Sequence, residues 1–326
     1  MAPKRPGEFA LIERYFRPLA TEAGAFGLAD DAALYRQRPG DDLVLTADML
    51  AAGVHFFADD PPESIARKAL RVNLSDLAGK GAEPFGYLLS LALPADWTEA
   101  WLKRFANGLA DDQKRYGVTL LGGDTTKAAG GLTVAITALG RVPKGQMVLR
   151  SGAKVGDAIF VSGTIGDGAL GLRIRQSRIE AGRGAKHLLD RYLHPQPRTA
   201  LAPILVRHVS SAMDVSDGLV GDLAHICAAS GVGAEIGAYR LPLSQAAEVA
   251  LAAAPRVLAT ILNGGDDYEI LATVPTSKIA AFAAEAEEAG VPVTRIGTVL
   301  AGNGPPVVRD VTGKVIKVSA HSHTHF

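Results

Sequence analysis

The sequence predicts an α/β protein with mixed sheets, arranged as two domains. Three observations carry this. Short β-rich runs alternate with longer helical patterns along the whole chain. Thirty-six glycines and 18 prolines break these runs with tight turns. The composition also shifts between Arg141 and Gly156, where Pro143, Gly145, Gly152 and Gly156 stand among lysines and arginines. The boundary is therefore expected there, giving domains 1–145 and 146–326. With 326 residues, 48% of them hydrophobic, the chain can bury a core in each.

In the first half, the apolar run Leu43 to Ala47 reads as a strand and Ser64 to Leu77 as a helix. Tyr87 to Leu93 is strand-like, Thr98 to Tyr116 has helical periodicity, and Val118 to Leu121 and Leu132 to Val142 return to strand. The second half repeats the alternation. Strands are expected at Ala158 to Ser162, Ala212 to Val215, Ile270 to Val274 and Arg295 to Leu300. Helices are expected at Ala169 to Arg178, Thr199 to Val209, Gly218 to Ala229 and Ser277 to Ala289. Each half contains a Gly-Gly-Asp after an apolar run, Gly122 to Asp124 and Gly264 to Asp266, a hint that the halves share an architecture.

Composition removes several function classes. Thirty-four basic and 34 acidic residues cancel, so no global field draws the chain to nucleic acid or to an anionic membrane. A polyanionic ligand must be held by local chemistry. The apolar stretch Tyr87 to Leu93 is far short of a membrane span. Lys4, Arg5, Glu8, Glu13 and Arg14 interrupt any signal-peptide core, and a cytoplasmic location is expected. A single cysteine, Cys227, excludes an intrachain disulfide or a CxxC motif.

The informative residues are aspartates at the carboxyl ends of apolar runs, where α/β proteins place ligands. They are Asp30 and Asp31, Asp48, Asp124, Asp214 with Asp217, and Asp266 with Asp267. Any one alone reads as a turn or capping residue. Asp76 differs, because it continues the helical stripe of Ile65, Ala69 and Val72, and a carboxylate on an apolar stripe needs a partner. That partner is an arginine or a shared site, and Asn73 adds a polar group one turn away. Were several of these acids to converge, each pair would repel by roughly 3 kcal/mol at about 5 Å. A cation would then be required. Oxygen-only ligands select hard ions, Mg²⁺ first, and carboxylate-held Mg²⁺ serves phosphate groups.

Familiar nucleotide motifs are missing. No G-x-x-x-x-G-K-[ST] occurs, and neither HRD nor DFG is present. Gly166 to Gly171 is a literal G-x-G-x-x-G, but no second strand ending in an acid follows at the required distance, so a glycine-rich turn is expected instead. No H-x-x-x-H pair falls on a predicted helix. His321, His323 and His325 alternate in what reads as a solvated tail, and His55 follows the Asp48 segment closely enough to line the same pocket.

The ordered set of motifs resembles the thiamine-monophosphate kinase family, part of a superfamily with aminoimidazole ribonucleotide synthetase and selenophosphate synthetase. The matching elements are Gly7-Glu8-Phe9, Gly27 to Ala32, Leu45-Thr46-Ala47-Asp48 with Gly53-Val54-His55-Phe56, and Val72-Asn73-Leu74-Ser75-Asp76-Leu77-Ala78. They continue with Gly122 to Thr126, Arg150 to Asp157, Met213 to Leu219, Gly264 to Glu269 and His325-Phe326.

The resemblance implies two α/β domains, the first pairing across a homodimer, with ATP and several Mg²⁺ ions between them. It implies metal ligands at Asp31, Thr46, Asp48, Asp76, Asp124, Asp214 and Asp217, and nucleotide contacts at Gly123, Asp124, Arg150 and Ser216. Substrate contacts are implied at His55, Asp266 and His323. The catalytic set is then Asp76, Asp124, Arg150 and Asp217. Three positions depart from the family pattern: Ala47 replaces a hydroxyl residue, Asp266 a glutamate, and His323 an aromatic ring. The implied reaction transfers the γ-phosphoryl of ATP to the phosphate of thiamine monophosphate. That nucleophile is largely ionised at neutral pH, so no general base is needed. Two alternatives stay open, another ATP-dependent enzyme of the superfamily and a nucleotide-binding regulatory dimer.

Overall fold

A computed structural model describes residues 6–179 and 182–318. The chain forms two compact units, Met1–Leu77 with Glu83–Gly145 and Ala78–Ala82 with Gln146–Phe326.

The first unit opens with a short helix, α1 (Glu8–Leu11), followed by irregular turns. It continues as β1 (Asp41–Ala51), α2 (Pro62–Gly79), β2 (Glu83–Leu93), α3 (Glu99–Tyr116), β3 (Thr119–Lys127) and β4 (Thr133–Pro143). Four strands form one sheet in the order β1-β4-β2-β3, antiparallel except for the parallel β2/β3 pair. Local chemistry sets the helix limits. The Thr98 hydroxyl accepts from the Trp101 amide at the start of α3, Lys114 and Arg115 oppose its dipole at the end, and Gly117 closes it in left-handed conformation (φ 67°). α2 is buried almost all round: Ile65, Ala66, Ala69, Leu70, Leu74 and Leu77 are each within 1% of complete burial. A bidentate ion pair locks the two helices, with Arg71 Nε and Nη2 each 2.7 Å from the Asp112 carboxylate.

The sheet has one covered and one open face. On β1, Val44 and Leu50 are buried while Leu45 and Met49 are 59% and 64% exposed. Cross-strand partners share a face, and the rows Ala47, Thr137, Leu88, Gly122 and Met49, Ala135, Ser90, Asp124 carry that open face across all four strands.

The second unit holds a seven-stranded sheet ordered β11-β10-β7-β9-β5-β8-β6. Its strands are β5 (Ala158–Ser162), β6 (Ser211–Asp214), β7 (Gly233–Gly237), β8 (Ile270–Val274), β9 (Val293–Leu300), β10 (Val307–Arg309) and β11 (Val315–Ile316). The helices are α4 (Asp167–Arg175), α5 (Ala185–Leu193), α6 (Ala202–His208), α7 (Leu219–Ser230), α8 (Gln245–Ala253), α9 (Leu258–Asn263) and α10 (Ile279–Glu288). Here both faces are covered. Ile159, Val161 and Leu271 pack with Leu170, Leu223 and Ile261, while Phe160, Ala272 and Val274 pack with Leu205 and Phe282 on the other side.

Two sequence expectations change. The Gly-Gly-Asp triplets are not equivalent, since Gly122 to Asp124 lies within β3 whereas Gly264 to Asp266 follows α9 in a turn. Asp48 and Asp124 lie inside their strands rather than at strand ends, because both strands run several residues past the apolar runs that announced them. β sheets accept polar residues on an open face or beside a helix edge, which hydropathy alone does not register.

Candidate active site

In the first unit β1 and α2 meet through polar groups. The Thr46 hydroxyl donates to Asp76 Oδ2 at 2.5 Å, and the Asp48 amide donates to Asn73 Oδ1 at 3.1 Å. Asn73 is fully buried and oriented by its own donation to the Ala69 carbonyl. Residues two apart on a strand and three apart on a helix thus align, bringing Thr46, Asp48, Asn73 and Asp76 together. Asp76 is half-buried rather than submerged in the apolar stripe. It sits in the last turn of α2, where the helix dipole disfavours a carboxylate, so its placement is one that stability alone does not select.

His55 lies in the turn after β1. Its Nδ1 accepts from the Ala51 amide at 3.1 Å, so in the neutral ring Nε2 carries the hydrogen. Asp31 is exposed, its amide bonded to the Asp30 carboxylate. Asp124 is exposed on β3, three strand spacings from Asp48, about 14 Å along the sheet. It points to the open face, opposite to Thr46 and Asp48. A Cβ on Gly123 would fall 1.8 Å from the Leu89 carbonyl oxygen, so only glycine permits this approach of β3 to β2.

In the second unit Asp214 ends β6 and is 3% exposed. Ser216 and Asp217 follow, half-buried, and lead into α7. Gly218 makes the corner at φ 120°, packed against Asn263. The amides of Asp217 and Gly218 donate to Asp222 Oδ2 at 3.1 and 3.2 Å. Burial, reinforced by the charge of Asp217, pushes the Asp222 carboxyl up to about 7. Arg150 is exposed, and its charge acts on Asp222 in the opposite sense. Asp266 is half-buried with left-handed backbone (φ 71°), and its amide donates to the Ser216 carbonyl at 2.9 Å.

Each unit therefore assembles part of the expected set: Thr46, Asp48 and Asp76 in one, Ser216, Asp217 and Asp266 in the other. Among the described residues, no group of three or more His, Cys, Asp or Glu side chains is gathered tightly enough to hold a metal ion. His323 lies outside the described residues. The oxygen-only donors of the Thr46, Asp48 and Asp76 group suit a hard cation. The G-x-G-x-x-G decoy is resolved as well. β5 runs antiparallel to both neighbours, and the Asp267 carboxylate already accepts from the Gly166 and Gly168 amides, so the start of α4 is filled by the protein's own anion.

Sequence reasoning missed two buried groups. Asp222 was readable as an acid in the first turn of α7. The Glu269 cluster, with Arg191 at 2.9 Å, Arg198 at 2.5 Å and Ser162 at 2.6 Å, joins residues 71 to 107 positions apart and left no local signal.

This architecture is shared. Residues 29–142 match the family "AIR synthase related protein, N-terminal domain" and residues 154–309 its C-terminal counterpart, which defines the class. Within it, a thiamine-monophosphate kinase of Caulobacter vibrioides is 45% identical, covering 94% of this chain and 89% of that one. The crystal structure of thiamine-monophosphate kinase from Stenotrophomonas maltophilia K279a superposes with a TM-score of 0.84 at 39% identity, covering 95% and 98% of the two chains. A structure described as AaThiL complexed with AMPPCP and TMP gives 0.78 at 30% identity, with complete coverage of both. The chain belongs to the thiamine-monophosphate kinase family.

Proposed function

We propose that this protein transfers the γ-phosphoryl group of ATP to the phosphate of thiamine monophosphate, giving thiamine diphosphate and ADP. The observation that carries it is similarity along the whole chain to a protein bound to an ATP analogue and TMP. The Thr46 hydroxyl against the Asp76 carboxylate, with Asp48 held beside them through its amide bond to Asn73, adds oxygen donors of the right chemistry.

The acceptor oxygen is already ionised at neutral pH, so the protein needs no base. Its task is to bring two polyanions together and hold them in line. Thr46, Asp48 and Asp76 would hold Mg²⁺, which neutralises phosphate charge when bound, and the resemblance adds Asp31, Asp124, Asp214 and Asp217 as ligands of further Mg²⁺ ions. Gly123 and Ser216 offer backbone and hydroxyl contacts to the nucleotide, and the exposed Arg150 guanidinium stabilises charge developing in transfer. His55 presents an Nε2 hydrogen to the substrate, and Asp266 presents a carboxylate to its cationic ring. By the resemblance, His323 takes the sequence position of an aromatic residue that contacts the substrate.

The homodimer has physical support. Leu45, Met49 and Leu88 are 59%, 64% and 38% exposed on a sheet face that the first unit leaves uncovered, and a second copy of that face is the occupant the resemblance implies. No helix among the described residues is long and apolar enough to cross a membrane, in keeping with a cytoplasmic enzyme.

The test is ADP release with Mg²⁺ against a panel of thiamine, thiamine monophosphate and aminoimidazole precursors. Release stimulated by thiamine monophosphate alone is expected. Stimulation by an aminoimidazole precursor instead moves the protein elsewhere in the superfamily. ATP binding without stimulated release makes it a regulatory dimer.

A further inference from the structure

The turn Gly264–Glu269 joins α9 to β8 and is unusual in its backbone. Asp266 and Tyr268 both adopt left-handed conformations, at φ 71° and 51°. Such conformations are costly for residues with a Cβ and persist where surrounding structure over-determines them. Asp267, between them, turns inward and is 1% exposed. Its Oδ2 accepts from the Gly166 amide at 2.7 Å and its Oδ1 from the Gly168 amide at 3.1 Å. Burial pushes this carboxyl well above the usual range, and the two amide bonds pull against that. For cohesion alone, an apolar side chain would fill the space without that desolvation.

The same turn is tied to the loop after β6. The Asp266 amide donates to the Ser216 carbonyl at 2.9 Å, the Tyr268 amide to the Val215 carbonyl at 2.8 Å, and the Val215 amide to the Glu269 carbonyl at 2.7 Å. Glu269 is clamped by Arg191, Arg198 and Ser162. Packing leaves no slack on either side. A Cβ on Gly168 would lie 2.1 Å from the Asp266 carbonyl oxygen, and one on Gly265 would lie 2.1 Å from the Ser216 carbonyl oxygen.

We infer that Asp267 is a positioning residue, which by docking on the first amides of α4 holds Asp266 in register with Ser216 and Asp217. Its carboxylate is buried on those amides, so it acts through Asp266 rather than on substrate or nucleotide directly. The substrate acid and the nucleotide loop are thus carried on one rigid piece of backbone, and displacement of the turn moves both. The inference rests on the proposed reading of Asp266 as a substrate contact, and the control below separates the two.

Steady-state kinetics with ATP, Mg²⁺ and thiamine monophosphate test it on the full chain. Asp267→Asn keeps the side-chain size but faces an amide donor with an NH₂ group. It is expected to lower kcat/KM for thiamine monophosphate by roughly ten- to hundredfold, mainly through a raised KM. Gly168→Ala leaves every charge in place yet crowds Asp266, and is expected to raise the same KM. A role in folding alone lowers the active fraction and leaves KM unchanged, so folded variants with KM within about twofold of the parent overturn the inference. Asp266→Ala is the control: if it does not raise that KM, the reading of Asp266 itself fails, whatever Asp267 does. Should both variants fail to fold, hydrogen exchange on the unmodified protein decides. Thiamine monophosphate is expected to slow exchange of the Gly166 and Gly168 amides, and unchanged exchange overturns the inference.

Discussion

Replacing Asp76 by asparagine should separate stability from activity. The Thr46 hydroxyl bond of 2.5 Å changes from charge-assisted, about 1.5 to 3 kcal/mol, to neutral, about 0.5 to 1.5 kcal/mol, a loss near 1 kcal/mol. Against this, removing a negative charge from the last turn of α2 relieves roughly 0.3 to 1 kcal/mol of unfavourable dipole interaction. The two nearly cancel, so the metal-free variant should melt within about 4 °C of the parent. On the proposed metal role of Asp76, turnover should nevertheless fall by at least about a thousandfold, because the ion that would neutralise phosphate charge loses a ligand. Calorimetry without Mg²⁺ and ADP release with saturating Mg²⁺ measure the two quantities. Turnover above a tenth of the parent's would refute the metal role, and a melting point lowered by more than about 10 °C would refute the cancellation.

Three further outcomes are expected. Asp112→Asn removes the bidentate carboxylate from the buried Arg71 guanidinium and should cost about 3 to 5 kcal/mol in denaturant unfolding, whereas the double change Arg71→Met, Asp112→Leu should be nearly neutral. Asp222 has a folded pKa of about 7 against an ordinary 3.8, so folding retains a proton that the unfolded chain releases. Stability of the metal-free protein should decline as pH rises from about 4 to about 7, and Asp222→Asn should flatten that decline. Leu45→Lys with Met49→Lys places two charges on the open sheet face, and light scattering is expected to report the proposed dimer for the parent and a monomer for the variant.

Much of this was legible from local patterns. Strands Ala158 to Ser162 and Ile270 to Val274 stand where their apolar runs predicted, because both are buried on two faces and read as continuous hydropathy. β1 extends beyond its apolar run at both ends, since its outer residues alternate with Thr46 and Asp48, whose partners lie 25 to 30 residues away on α2. The Asp76 signal came from helical periodicity, although the surrounding helix proved buried on nearly all sides. Asp267 illustrates what pattern reading does not reach. In the sequence it is one of a pair of turn acids, yet its partners are amides 99 and 101 residues earlier in the chain, and only the folded sheet brings them into reach.

The division of the chain has a consequence for its manufacture. Residues Ala78–Ala82, which directly follow Leu77 of the first unit, belong to the second. There the Lys80 ammonium binds the Ala212 carbonyl at 2.8 Å, and the Lys80 carbonyl receives the Val148 amide. On the ribosome this short piece emerges long before the strand that receives it, and must wait while the remainder of the first unit is made. Cutting the gene at residue 145 would therefore yield a first product that is complete but carries five residues of the other unit, and a second that lacks those five from its own interior. Production of the second half in isolation calls for that pentapeptide to be grafted onto it.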